Sequence, residues 1–382
     1  MSPTGPSPPS LLPSSSNLTL LLPFHDEYSS SEDNEIIYLP LPPEDEIDMN
    51  MELMMGYMAM PIEISILLSF FFFLFIVGFV GNATVILRIV KTNRLFHQMY
   101  GKESGSRRMT TQRYVLLLAC VDLFVTVQIP ILFPYLYSGQ WLIGEFMCNF
   151  FWIVDNVNKI LSIHILTAMA IERYFIVLHS VRSGQRGRIP RIATAVWFVG
   201  TIISVLLLIP LLAFVDLDVM KIGHTTITTC VSPLPDSLFL AFLVYMFVLS
   251  YCVPAVIVTF CYAGLVRILK TRYTLTTPRV KESTKTHLIQ KVSKSILCVT
   301  AFHFACWTPF WIVTLLPVMN PDVFKVHPRA TMLAQMFTLT LPYVNCSFNW
   351  CFYVLLNKRL RKQIFRTSSS YISGLKQHTA PL

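Results

Sequence analysis

Apolar residues along this chain gather in seven long runs, at about 62–90, 113–138, 146–180, 190–214, 237–268, 290–318 and 329–355. Each is long enough for the ~20 residues that carry a helix across the hydrocarbon core of a bilayer. In lipid every backbone polar group has to be satisfied, and runs of this length exceed a barrel strand, so each is expected to be an α-helix. The pattern predicts an all-α membrane protein, a seven-transmembrane helix bundle over residues 61–356, with no internal repeat. Residues 1–60 look different: Pro, Ser and acidic side chains without a sustained period predict a disordered extracellular tail. Its short leucine clusters are broken by Pro and Ser and follow no basic start, so retention rather than cleavage as a signal peptide is expected. After the seventh run, within the cytoplasmic segment 357–382, Lys358-Arg359-Leu360-Arg361-Lys362-Gln363-Ile364-Phe365 reads as a short amphipathic eighth helix lying on the inner leaflet.

Composition supports the membrane reading. The 382 residues are 54% hydrophobic and 13% charged, with a mean hydropathy of +0.57, outside the range of ordinary soluble domains. The net charge of +9 suggests a nucleic-acid partner only until the charges are located. Residues 1–60 hold ten acids and no Lys or Arg, whereas 26 of the 30 basic residues fall in the inner segments of a topology with the N-terminus outside. That bias sets the N-terminus outside and excludes a nucleic-acid module. The sequon at Asn17 then faces the glycosylating compartment. Seven of the nine cysteines lie in or at the ends of apolar runs; only Cys148 and Cys230 fall in outer segments, where a disulfide is expected and two free thiols are the alternative.

Motifs narrow the class. In order they are Gly81-Asn82, Leu118-Ala119-Cys120-Val121-Asp122, Trp141 before Cys148, Glu172-Arg173-Tyr174, Trp197, Pro254 with Tyr262, Cys306-Trp307-Thr308-Pro309, and Asn349 with Tyr353. With one set per run, the chain resembles a rhodopsin-like (class A) G-protein-coupled receptor over about residues 62–366. Asp155 seven residues after Cys148, Asn158, Pro130 and Tyr343 make it similar, within that family, to the somatostatin, opioid and galanin group of neuropeptide receptors. Biogenic amine receptors share the equivalents of Asp155 and Tyr343 and supply the alternative. An opsin is disfavoured because 329–355 contains no Lys. The chain departs from the family in two places: Trp350 stands where Asn-Pro-x-x-Tyr has its proline, and His303 where Phe is usual.

Ionisable residues at membrane depth are expensive and functional by default. The resemblance implies an allosteric Na⁺ site of Asp122, Asn158, Ser162, Asn345 and Asn349, the alternative being a water-filled hydrogen-bond network, with Cys346 where a Ser hydroxyl would help. Beyond this ion no cofactor or metal is expected. The expected ligand site comprises Asp155, Lys159, Tyr343, Trp307 and Gln335. Lys159 follows Asp155 by four residues and so shares its helix face. Either the two pair with each other, or a ligand cation takes Asp155 while Lys159 meets a ligand acid. Sixteen outer acids against three bases either steer a basic peptide inward or merely keep the tail solvated. Tyr28 and Tyr38 among those acids are weak candidates for sulfation.

On the inner side the resemblance assigns G-protein coupling and activation to Glu172, Arg173, Tyr174, Tyr262, Tyr353, Pro254 and Pro309. Glu172 would hold the Arg173 guanidinium at rest, while Ile289 and Ser293 leave no acid to complete an inter-helical lock. The third inner loop, roughly 270–289, is short and basic. The implied partners are a heterotrimeric G protein of the inhibitory type, arrestin, a receptor kinase acting on Thr367 to Ser370, and membrane lipids. A seven-span transporter is the rival class, but paired broken helices and repeats are missing from the sequence. An enzyme is disfavoured because the histidines are scattered and no metal-protease motif occurs.

Overall fold

A computed structural model describes residues 61–100, 109–181, 189–209, 215–222, 225–231, 234–275, 284–320, 328–356 and 361. The helices follow the apolar runs: α1 Pro61–Tyr100, α2 Met109–Ser138, α3 Glu145–Val181 and α4 Ile189–Leu206. Helix α5 runs as Asp236–Phe247, a π-helical turn Val248–Cys252 and Val253–Leu275, followed by α6 Thr284–Met319 and α7 Pro328–Leu356. Among the described residues, α1, α2, α3, α5 and α6 are each long and apolar enough to cross a membrane. In α4 the apolar part is shorter, Ile192–Leu206. The face that α7 buries carries Thr338, Thr340, Asn345, Ser347 and Asn349, and these polar residues lower its hydropathy.

Three findings depart from the sequence expectation. The protein is not all-α, because the outer segment after α4 folds into an antiparallel hairpin, β1 Asp216–Ile222 with β2 Thr225–Val231, in which Leu217 faces Cys230. The β-branched stretch Thr225-Thr226-Ile227-Thr228-Thr229 suits a pleated strand; a search for membrane spans passes over it. The fourth run, expected to 214, leaves regular helix at Leu206. The third inner loop, expected over 270–289, is narrower than that, since α5 continues to Leu275 and α6 begins at Thr284. The eighth-helix segment and residues 1–60, Asn17 included, lie outside the described residues, apart from Arg361.

Helix α3 forms the axis of the bundle: 67% of its apolar stretch is buried, against 28% in α1. Toward the inner end Ile163, Leu166 and Met169 pack with Val85 and Ile89 of α1, Leu118 of α2 and Val299 of α6. Toward the outer end Ile160 packs with Trp141, Met246, Trp307 and Trp311 around the cysteines 148 and 230.

The π turn has a local cause and a partner. Pro254 has no N–H to return to Ser250, and its ring crowds the preceding turn, so the helix widens just before it. Val253 N–H bonds Val248 O, five residues back. The Leu249 carbonyl instead accepts His164 Nε2–H of α3 at 3.1 Å, while His164 Nδ1 meets Thr201 Oγ1 of α4 at 2.8 Å. Because Nε2 must donate to a carbonyl, Nδ1 of the neutral ring is an acceptor and shares the single Thr201 hydroxyl hydrogen with Trp197 O, 2.9 Å from Thr201 Oγ1. One buried imidazole therefore joins three helices. Replacing it by Leu is expected to destabilise the protein by about 1–2 kcal/mol, the worth of two intramembrane hydrogen bonds, measured as a lower melting temperature in detergent; an unchanged melting temperature would deny His164 this role.

Candidate functional site

Three clusters of sequence-predicted residues lie in line along α3, from the outer end to the inner. The outer one centres on Asp155. Lys159 Nζ lies 2.6 Å from Asp155 Oδ2, with side-chain exposures of 15% and 27% respectively, so the two residues are paired. Lys159 also reaches Asn156 Oδ1 at 3.4 Å, and its ammonium stands 5.6 Å from the centre of the Phe310 ring. Tyr343 of α7 sits beside Asp155 and packs edge-on against Phe71 of α1, with ring centres 5.2 Å apart. Trp307 is buried below, with its ring stacked on His303 at 5.6 Å and edge-on to Phe310 at 5.3 Å. Gln335 is buried about two turns further out on α7; its carbonyl accepts the Thr338 hydroxyl, and among the described residues no hydrogen bond joins it to the ion pair.

The hairpin is fixed above this cluster. Cys230 of β2 is disulfide-bonded to Cys148 in the first turn of α3, with Cα atoms 5.6 Å apart. Trp141 N–H donates to Thr228 O at 2.7 Å, and its indole Nε1–H to Gly144 O at 2.9 Å. Gly144 has φ +85°, a left-handed conformation suited to glycine, which lets the chain turn sharply into α3.

The middle cluster is fully buried. Asn349 Nδ2 donates to Asp122 Oδ2 at 3.1 Å, Asn345 Nδ2 to Asn349 Oδ1 at 3.3 Å, and Ser162 Oγ to Asn158 Oδ1 at 2.6 Å. Asn158 Nδ2 points to Cys346 Sγ at 3.8 Å, so the sulfur substitutes only weakly for a hydroxyl. All five residues expected around a cation are thus brought together. His303 joins them, with Nδ1 3.2 Å from Asn345 Oδ1. Asp122 Oδ1 and Asn82 Oδ1 are buried without hydrogen-bond partners. An orphaned carboxylate oxygen among amide and hydroxyl oxygens fits a hard alkali cation rather than a soft metal. Asp122 would supply the charge, with Ser162 and the Asn side chains as neutral donors.

At the inner end Arg173 lies among Glu172, Tyr114 and Tyr262. Glu172 Oε2 is buried without a hydrogen-bond partner. Tyr262 approaches Thr300 of α6 without completing a hydrogen bond, and the Thr300 hydroxyl is given to Ile296 O at 2.8 Å. Tyr174 packs on Phe260 of α5 at 5.9 Å, and a Cβ at Gly264 would run into its ring. Pro254 is buried beside the π turn and Pro309 lies inside α6. The side chains of Tyr353, Ile289 and Ser293 lie outside the described residues.

Two links of the site escaped sequence reasoning. Tyr251 Oη of α5 donates to Thr308 Oγ1 of α6 at 2.8 Å, because the Thr308 hydroxyl is itself given to Phe304 O at 2.6 Å. Gln128, fully buried in α2, donates to Phe151 O of α3 at 2.8 Å. A polar residue within an apolar run was the available signal for both.

The model of the seven-transmembrane receptor (rhodopsin) family matches residues 81–353, most of the chain. The chain belongs to the rhodopsin family of seven-transmembrane receptors. It is thus a multi-pass membrane protein and a G-protein-coupled signalling receptor, not an enzyme. The receptor is 30% identical over 314 residues to a probable G-protein-coupled receptor of Caenorhabditis elegans, with 78% of the receptor and 67% of that protein aligned. It is 28% identical over 325 residues to neuropeptide receptor 18 of the same nematode, covering 78% and 66%. To mouse somatostatin receptor type 2 it is 26% identical over 303 residues, covering 78% and 75%. The receptor thus spans about two thirds of the length of the two nematode proteins.

Proposed function

We propose that this receptor binds an extracellular peptide through a cationic group that reaches Asp155, and passes the signal to a heterotrimeric G protein of the inhibitory type. The observation that carries this reading is the closed Asp155–Lys159 pair at 2.6 Å. A small monoamine brings a single charge and has to displace a lysine already in place, whereas a peptide can offset that cost with contacts to the hairpin and loops. The names of the similar neuropeptide and somatostatin receptors support the same choice. The outer acids would raise the rate of encounter with a basic ligand.

The proposed topology is seven spans over 61–356 in the plasma membrane, an extracellular acidic tail over 1–60 glycosylated at Asn17, and a cytoplasmic segment 357–382 that opens with an amphipathic eighth helix. Arrestin and a receptor kinase would act on that segment, and inner-leaflet lipids would hold it. Peptide binding would move Trp307 at the Pro309 kink, release Arg173 toward the G protein, and turn Tyr262 and Tyr353 inward beside Tyr174. The test is peptide-stimulated GTP exchange in membranes containing the full chain and an inhibitory-type G protein. Exchange in the wild type, lost in Arg173→Ala with peptide binding retained, is expected; binding of monoamines but not peptides would overturn the reading.

The cation site is part of the same proposal. Replacing Na⁺ by a large organic cation at constant ionic strength is expected to raise agonist affinity by roughly 5- to 100-fold, the usual range of allosteric coupling. Asp122→Asn should abolish the difference. A wild type indifferent to the exchange would leave the Asp122 cluster as a hydrogen-bond network alone.

A further inference from the structure

We infer that the group entering the outer cluster is dipolar: a cation for Asp155, followed on the same ligand by a carboxylate for Lys159. The inference rests on the peptide-receptor reading above and specifies the chemistry of its ligand.

Helix α3 enters from the outer side at Glu145, so Lys159 lies four residues, or about 6 Å of helix rise, deeper than Asp155. The exposures agree: the carboxylate, at 27%, is the more open partner, and the ammonium, at 15%, the more enclosed. Among the described residues, the ammonium has one short polar partner, Asp155, one long one, Asn156 Oδ1 at 3.4 Å, and the face of Phe310. Phe310 is braced edge-on by Trp307 and Trp311, both buried, so the seat is aromatic and poor in alternative acceptors.

A ligand with a single cation would only exchange one positive partner of Asp155 for another. The number of ion pairs would not rise, and Lys159 would be left with a long hydrogen bond and an aromatic face, one helical turn from a like charge. A desolvated charge stripped of its partner is strongly unfavourable. An acid about one turn's reach beyond the cation reverses the outcome, because one ion pair is replaced by two of alternating sign. Sixteen outer acids against three bases disfavour the approach of a lone anion, so the carboxylate enters on a molecule that leads with its positive group. An Arg or Lys side chain with a nearby Asp, Glu or terminal carboxylate has this form. Lys159 thereby becomes a specificity-determining residue, selecting among basic peptides by whether an acid follows.

Two pools of synthetic octapeptides test this, applied to membranes containing the full chain and G protein, with GTP exchange as readout. Both pools fix one Arg or Lys at each position in turn. One pool allows Asp, Glu and a free C-terminus; the other replaces the acids by Asn and Gln and is amidated. The acid-bearing pool is expected to be at least tenfold more potent on the wild type. In Lys159→Met and Lys159→Gln, compared at matched surface expression, the pools should act within about twofold of each other, while Lys159→Arg should keep the preference. Equal potency on the wild type, which requires no variant to fold, overturns the proposal, as does a preference that survives Lys159→Met. Response to the neutral pool alone would leave the peptide reading standing and the dipolar one refuted; response to neither pool would remove both.

Discussion

Asp155→Asn is expected to cost a cationic peptide about 2–5 kcal/mol of binding, roughly 30- to 4,000-fold in potency, because truncating one member of an enclosed charge pair also strands the other. The stranded member is Lys159, which the wild-type structure holds 2.6 Å from Asp155 Oδ2. Lys159→Met in the same chain should therefore soften the loss. The double variant is expected to fall short of the sum of the singles by about 0.5–3 kcal/mol, the usual coupling for residues in direct contact. Melting temperature without ligand should show the same sign of coupling, since the two residues are in direct contact. Asp155→Glu should lose less potency than Asp155→Asn. If Asp155→Asn leaves peptide potency unchanged, both with Lys159 and with Lys159→Met in place, Asp155 is not the anchor and affinity must come from the hairpin and loops.

Most of the helical framework was legible in the sequence because the bilayer leaves the chain so few options. A run such as 146–180 has to satisfy its own backbone, and α3 is indeed helical over Glu145–Val181. The ion pair was legible in geometry though not in outcome: an i, i+4 spacing puts Asp155 and Lys159 on one face, yet only the three-dimensional structure shows that they close on each other. The hairpin escaped because strands Asp216–Ile222 and Thr225–Val231 fall between the apolar runs, where hydropathy has no say.

Contacts between distant helices were the least accessible, since they depend on how each helix is rotated about its own axis. Trp350 looked like a departure from the family pattern at a missing proline. In the structure its indole fills the place where a Cβ on Gly81 would be, so α1 and α7 meet through a glycine notch and a tryptophan. Asn82, the next residue, donates to Cys346 O of α7 at 3.1 Å and fixes the same contact. The unusual His303 likewise acquires a reason from its neighbours, being stacked on Trp307 and bonded to Asn345. It thereby connects the aromatic floor of the outer cluster with the polar cluster around Asp122.

Loss of the Cys148–Cys230 bond is the second large effect expected. The bond closes a segment of 82 residues that includes α3 and α4. For a freely unfolding chain, closing a loop of that length is worth about 4–5 kcal/mol in the chain-entropy account. In a bilayer α3 and α4 stay inserted when the outer segment loosens, so the entropy regained belongs mainly to the hairpin and its connections. About 2–4 kcal/mol is therefore the expected cost of Cys148→Ser or Cys230→Ser. It should appear as reduced surface expression and weaker peptide binding rather than complete unfolding. Each single variant also leaves a lone thiol, which under the proposed topology faces an oxidising compartment where mispairing is open to it. The double variant Cys148→Ser with Cys230→Ser is expected to be no worse than either single one, because all three lose the same bond. The backbone bond from Trp141 N–H to Thr228 O would still tie the hairpin to the turn into α3, and adding Trp141→Pro, which removes that N–H, should lower surface expression further. Surface labelling and peptide mapping under non-reducing conditions decide the matter: losses that add in the double variant, or two free thiols in the wild type, would show that the hairpin is held over the pocket by something other than this disulfide.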